Sequence, residues 1–186
     1  MTELVRHQDE RTVGELGCRR EQETAVRDWL LLAASDQDQA REEWQKWGIA
    51  LLSCGELFAA IRIDSDVIHA AAGSHEPNQV KTYLAKALFS GPVFVDQRER
   101  RYYALVGASA ANRREWRDRR HPGARCLGHG SHLGVPRPEL VDPDALFTYW
   151  CVPMDGPGTL CDPAAVSQLL SHGRHRLLAQ EARNGS

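Results

Sequence analysis

No apolar run in the chain approaches the roughly 20 residues that a membrane helix needs, so a spanning segment is not expected. Residues 1–20 are polar and mixed in charge, without the apolar core of a signal peptide. A cytoplasmic location is the expectation. The cysteines are Cys18, Cys54, Cys126, Cys151 and Cys161, an odd number with no CxxC pair. That argues against a disulfide framework and against a four-cysteine zinc site, and leaves small buried thiols. Lysine is scarce: only Lys46, Lys81 and Lys86 stand beside 20 arginines. With the many alanines, this marks a GC-rich coding sequence and says little about mechanism. No GxxxxGK[ST], GxGxxG or GxSxG occurs, which removes the common phosphate loops and the serine-hydrolase elbow. There is no internal repeat and no low-complexity segment.

What is present is an ordinary globular composition, 42% hydrophobic and 26% charged over 186 residues. That length is enough for one domain with a proper core. Residues 1–22 show no period and are expected to form a flexible tail. The domain is expected over 23–180, with 181–186 fraying. A helix from 23 to 34 places Ala25, Trp29, Leu32 and Ala33 on one face, and Val26 and Leu30 widen the stripe. Asp38 is expected to cap a second helix carrying Ala40, Trp44 and Trp47, ended by Gly48. Residues 49–53 and 57–63 read as two strands joined by a tight turn. A short helix over 67–72 follows. Val80, Tyr83, Leu84, Ala87 and Leu88 then recur at helical spacing. Residues 92–106 read as a hairpin with a charged turn at 98–101. Short strands are expected at Cys126-Leu127 and 132–135, around a glycine-rich turn, and at 149–152. Asp162-Pro163 starts a last helix that buries Val166, Leu169 and Leu170. The economical architecture is α+β: helices packed on a mainly antiparallel or mixed sheet in a single domain.

Charge is uneven. Residues 97–125 carry nine arginines and three acids, a net of +6, which leaves −8 for the rest of the chain. Such asymmetry is a physical argument about partners rather than about fold. Arg98, Arg100, Arg101, Arg113, Arg114, Arg117, Arg119 and Arg120 form a candidate nucleic-acid or anion surface, with Trp116 available for stacking. The ordinary alternative is a solvated, salt-bridged segment, and a protein partner is a third use. Asp64 and Asp66 flank Ser65 after a strand, the spacing of a paired-acid metal site. Their ordinary role would be to cap the helix that follows. Cys126, His129 and His132 are ligand types for zinc, but no fourth ligand is apparent. His172 and His175 share a helix face near its C-terminus. No catalytic residue, metal or cofactor is assigned.

Several phrases occur in a telling order: Arg41-Glu42-Glu43-Trp44, 48–52, 67–72, Gly91-Pro92-Val93, 101–106, 126–128, 133–136, and Tyr149-Trp150 running on to 152–158. Together, over roughly 24–175, they resemble a group of short actinobacterial proteins of the Streptomyces type. Related chains in that group are described as bifunctional DNA primase/polymerase-like. The resemblance implies a fold in which one strand carries paired metal-binding acids and a later hairpin carries a nucleotide-contacting histidine. Those acids would fall near Ala59 and Ile61, and the hairpin, 93–106, contains no histidine. The resemblance therefore implies a degenerate, non-catalytic binding or regulatory protein. A protein–protein adaptor is the second expectation. A metal-dependent nucleotidyl-transfer or hydrolytic enzyme using Asp64 and Asp66 is the third.

Overall fold

The computed structural model describes residues 2–117 and 121–184. Six helices, a short 3-10 turn (Ala108–Asn112) and seven strands among them build an α+β fold. In chain order these are α1 (Thr2–Leu31), α2 (Gln37–Trp47), β1 (Ile49–Ser53), β2 (Phe58–Asp64), α3 (Ser65–Ala72), α4 (Pro77–Ala87) and β3 (Val93–Asp96). They continue with β4 (Arg101–Gly107), α5 (Arg114–Arg117), β5 (Ala124–Leu127), β6 (His132–Pro136), β7 (Thr148–Val152) and α6 (Pro163–Asn184). The larger sheet has the order β5-β2-β4-β3-β7, and β1 pairs with β6 in a separate two-stranded sheet. All pairings between these strands are antiparallel. No helix among the described residues is long and apolar enough to cross a membrane.

Alternation along β2 splits the core into two layers. Ala59, Ile61 and Ile63 face α3, α4 and α6, with Val67, Ile68, Leu84 and Leu170 packed over them. Phe58 and Ala60 face the small sheet and the first two helices, with Leu30, Trp44, Phe94 and Trp150. Trp44 donates its indole N–H to the Val135 carbonyl (2.9 Å), and Trp150 donates to Pro136 (3.0 Å). Both large rings are thus buried with their polar atoms satisfied.

Several expectations need correction. The backbone is helical from Thr2, so the residues read as a tail continue α1. Those over 17–22 are exposed, which is why they lack an apolar period. Arg19 and Glu23 pair across one helical turn at 3.0 Å, the ordinary i,i+4 arrangement of a solvated face. The buried face of α1 is Val26 and Leu30, as expected, with Leu31. Leu32 is 63% exposed. The helix closes at Leu31 with three i→i−3 bonds, from Leu32, Ala33 and Ala34, and this tighter winding turns Leu32 off the buried face. Asp36, not Asp38, caps α2, accepting from the Asp38 and Gln39 amides at 3.0 Å, as an N-cap carboxylate does. Asp38 pairs with Arg41 instead (2.8 Å). Trp47 is 56% exposed, with the Lys46 ammonium 4.8 Å from its ring centroid. At the other end, α6 runs to Asn184, beyond the expected fraying point.

The strands at 49–53 and 58–64 form but do not pair with each other. Gly55, at φ +103°, turns the chain from one sheet to the other. A Cβ there would lie 2.3 Å from the His129 backbone, so only glycine fits. Likewise β5 and β6 flank their glycine-rich turn but belong to different sheets. The 93–106 hairpin and the helix bearing Val80, Leu84 and Leu88 stand as expected, with Tyr83 half-buried.

Candidate anion-binding site

The arginines at 98–101 sit in the β3–β4 turn, and each is engaged. Asp96 Oδ1 accepts from the Arg98 and Glu99 amides, an Asx arrangement that shapes the turn. The Arg98 guanidinium lies 3.5 Å from the Phe147 ring centroid, within cation–π range. Arg100 pairs with Asp66 at 2.6 Å, and Arg101 with Asp64 at 3.0 Å. The two aspartates are thereby explained in a third way. Asp64 precedes α3 but makes no capping hydrogen bond, and each carboxylate binds its own arginine. Among the described residues, no three His, Cys, Asp or Glu side chains converge as a metal site. Cys126 and His132 stand on strands of different sheets, and His172 and His175 lie on α6.

Trp116 is 7% exposed and packs 5.0 Å from the His121 ring, so it offers no stacking face. This corrects its expected role. Arg113 lies 3.9 Å from Glu115, and Arg114 is exposed. The Arg117 side chain, Arg119 and Arg120 lie outside the described residues. The arginine-rich stretch is therefore two separate places joined by sequence, and its β3–β4 half is neutralised.

Pairing of the strands creates a different cationic centre. Arg62 of β2 stands directly opposite Arg125 of β5, and opposite Tyr103 of β4 on its other side. Arg62 falls on the sheet face of Phe58 and Ala60, where it is half-buried, and Arg125 is exposed. Neither arginine has an ion-pair partner among the described residues. Like charges directly opposite on a sheet oppose folding, by roughly 0.2–1 kcal/mol. Tyr103 stacks on Phe94 with centroids 4.8 Å apart. Burial and the nearby Asp96 push its phenol up, while Arg62 and Arg101 pull it down, each as its charge requires.

Beside this pair, along β5, lies a cavity of about 670 Å³ lined by Arg62, Ala111, Asn112, Trp116, Ala124, Arg125, Cys126, Gly128, His129 and Ser131. None of these described lining residues is acidic. The buried Trp116 indole N–H has no hydrogen-bond partner among the described residues. Burial pushes the Cys126 thiol up to about 11, so it stays neutral at pH 7. The described lining is thus rich in donors and free of fixed negative charge. A second cavity, of about 520 Å³ between α1 and α2, is different. Its Arg27, Arg41 and Arg137 are mixed with Asp28 and Glu139, and Arg27 already pairs with Glu139.

Two histidine clusters escaped the sequence reading. His69 Nε2 lies 3.2 Å from the Tyr102 hydroxyl, with the His75 ring 4.5 Å away. His121 Nε2 lies 2.7 Å from Ser167 Oγ. The second pair has the composition of a base and a nucleophile, but neither residue lines the donor-rich cavity. The other buried thiols are pushed up too, Cys54 to about 11 and Cys151 and Cys161 to about 12, chiefly by burial. That suits inert packing rather than catalysis. No family model, no curated protein and no solved structure matches the chain.

Proposed function

We propose that this is a non-catalytic binding or regulatory protein that holds the phosphate groups of nucleic acid at its β5 end. The observation that carries the reading is the Arg62–Arg125 pair, face to face without a carboxylate partner among the described residues, beside a cavity free of described acids. A site that opposes folding is expected where a ligand later supplies the missing charge. The contact surface is thus narrower than the whole 97–125 stretch, and it includes Arg62 from outside that stretch. The likeness to primase-polymerases belongs to this proposal as a degenerate relative. Ala59 and Ile61, where metal-binding acids would fall, are fully buried in the core. Asp64 and Asp66 are each bound by arginine. The five free cysteines suit a reducing cytoplasm.

The test is binding of single- and double-stranded probes across a salt series. Log affinity falls linearly with log salt, and replacing Arg62 and Arg125 by glutamine lowers the slope by about 0.7–0.9 per arginine. Undetectable binding in low salt to both probes removes the reading. Trp47 and Leu51, on adjoining α2 and β1, are both more than half exposed. Neighbouring apolar side chains left in solvent favour a second reading as a protein adaptor. A pull-down with and without nuclease separates the two, since partners of an adaptor survive the nuclease.

A further inference from the structure

We propose that Tyr103 is a stacking platform for one unpaired nucleobase, beside the arginine pair, so that the β5 end selects single-stranded nucleic acid. The inference rests on the anion-binding reading above and deepens it, from attraction of phosphate to choice of strand. Strand register carries it. Arg125 of β5 stands opposite Arg62 of β2, and Arg62 opposite Tyr103 of β4. Tyr103 in turn stands opposite Phe94 of β3, and Phe94 opposite Trp150 of β7. One row of side chains therefore crosses all five strands on a single face of the sheet. Exposure rises along it: Trp150 and Phe94 are buried, Tyr103 and Arg62 are half-buried, and Arg125 is exposed. The cover over this face thus thins towards β5, and what emerges from beneath it is an aromatic ring followed by two cations.

The orientation of that ring decides its use. Tyr103 stacks on Phe94 with centroids 4.8 Å apart and planes 15° from parallel. Adjacent strands are themselves about 4.7–4.9 Å apart. Rings on neighbouring strands that stack at this separation stand up from the sheet, with their faces turned along the row. One face of Tyr103 rests on Phe94, and the other is turned towards Arg62. Among the described residues no second ring and no cation covers that other face. A base laid on it extends the Phe94–Tyr103 stack by one ring and brings its own phosphate within reach of Arg62 and Arg125. The planar, flexible Arg62 guanidinium suits the far side of the same base. Stacking of this kind is open to any base, because every base has a flat π-face. In a duplex those faces are already taken by the neighbouring bases, so only an unpaired strand gains from the platform. The stacking ring expected at Trp116, which is buried, is supplied by Tyr103 instead.

The experiment compares three probes at one fixed salt concentration: a short single strand, an abasic strand with the same number of phosphates, and a duplex. The intact strand is expected to bind roughly tenfold tighter than the abasic one. That advantage should vanish in Tyr103→Leu and survive in Tyr103→Phe, which keeps the ring, while duplex binding stays unchanged in both. Circular dichroism confirms that the variants fold. A strand carrying 5-iodouracil, irradiated in complex with the wild type, should crosslink at Tyr103, which tests the platform even if Tyr103→Leu does not fold; crosslinks confined to other residues overturn it. Equal binding of the intact and abasic strands overturns the platform and leaves the arginine pair as a backbone site. An advantage that survives Tyr103→Leu, or a loss of duplex binding equal to the loss of strand binding, also overturns it. Failure of every probe overturns both readings.

Discussion

Alanine in place of glycine inside a helix ordinarily stabilises, by roughly 0.5–1 kcal/mol, because glycine loses more backbone freedom on folding. Gly173, in α6, should do the opposite. A Cβ at that position would lie 2.4 Å from the Val67 carbonyl oxygen, 2.9 Å from Val67 Cγ1 and 3.2 Å from the Ala71 methyl. The first contact is with the backbone of α3, which cannot rotate aside as a side chain can. The two helices must separate, and overpacking of this kind costs typically about 1–3 kcal/mol. With a rigid obstacle, the upper half of that range applies. After the helix-propensity gain is subtracted, Gly173→Ala should lose about 1–2 kcal/mol. For a chain of this size the melting temperature should then fall by roughly 2–8 °C. Gly17, in α1, is the control, since a Cβ there meets nothing within 4 Å. Urea melts followed by circular dichroism give both values, and Gly17→Ala should be neutral or stabilising. A Gly173→Ala protein as stable as the wild type would refute the close approach of α3 and α6.

Leu84 is fully buried in the layer that holds Ala59, Ile61 and Ala104. Leu84→Ala should cost on the order of 2–5 kcal/mol by transfer plus cavity; a loss below about 0.5 kcal/mol would mean that α4 turns another face inward. Acid should weaken the fold through His69 and His121, whose pKa values lie below the ordinary 6.5 chiefly because of burial, which disfavours the imidazolium. The unfolded chain then binds more protons than the folded one, so their stabilisation is present above about pH 6.5 and is lost as pH falls through that value towards the folded pKa values. The fall in urea midpoint between pH 7 and pH 5 should be smaller in a His69→Gln, His121→Gln double variant, and an unchanged fall would exclude these groups. No primer synthesis or extension is expected with magnesium or manganese, since Asp64 and Asp66 are committed to arginines and metal-assisted transfer needs free carboxylates. Incorporation of labelled nucleotide by the wild type, abolished in an Asp64→Ala, Asp66→Ala protein, would contradict that.

Most elements were legible because local rules set them. Val80, Leu84 and Leu88 recur at helical spacing, and the structure buries all three. Asp162-Pro163 opens α6, with the Ala164 amide donating to Asp162 Oδ1 at 3.0 Å. Partnership between strands was less legible. The turn at Cys54-Gly55-Glu56 has the composition of a hairpin, yet it joins two sheets. The deciding contact is the close approach to Gly55 of His129, which is distant in sequence. Composition reports that a turn exists; only tertiary packing decides what the turn connects. The same limit explains Trp47. Its helical spacing matches Trp44, but it is Trp44 that reaches the small sheet and bonds to Val135, while Trp47 stands in solvent at the end of α2.

For the site, charge density along the chain was a misleading guide, for a physical reason. Arginines that cluster in sequence at a turn are also the ones best placed to meet nearby carboxylates, and the β3–β4 turn delivers Arg100 and Arg101 to Asp66 and Asp64. Those carboxylates lie outside the run, at the end of β2 and the start of α3, so tertiary packing satisfies it. Isolated arginines behave differently. Arg62 sits in a mostly apolar strand between Ile61 and Ile63, and the strand's one acid, Asp64, pairs with Arg101. Strand register then sets it against Arg125, and the sheet holds the two charges in opposition. Neither residue looks special in its own segment. Their juxtaposition arises from the long-range pairing of β2 with β5, so only the folded sheet reveals it. A charge left without a carboxylate among the described residues, held rigidly beside another of the same sign, is a stronger sign of an external anion than arginines already paired with aspartates.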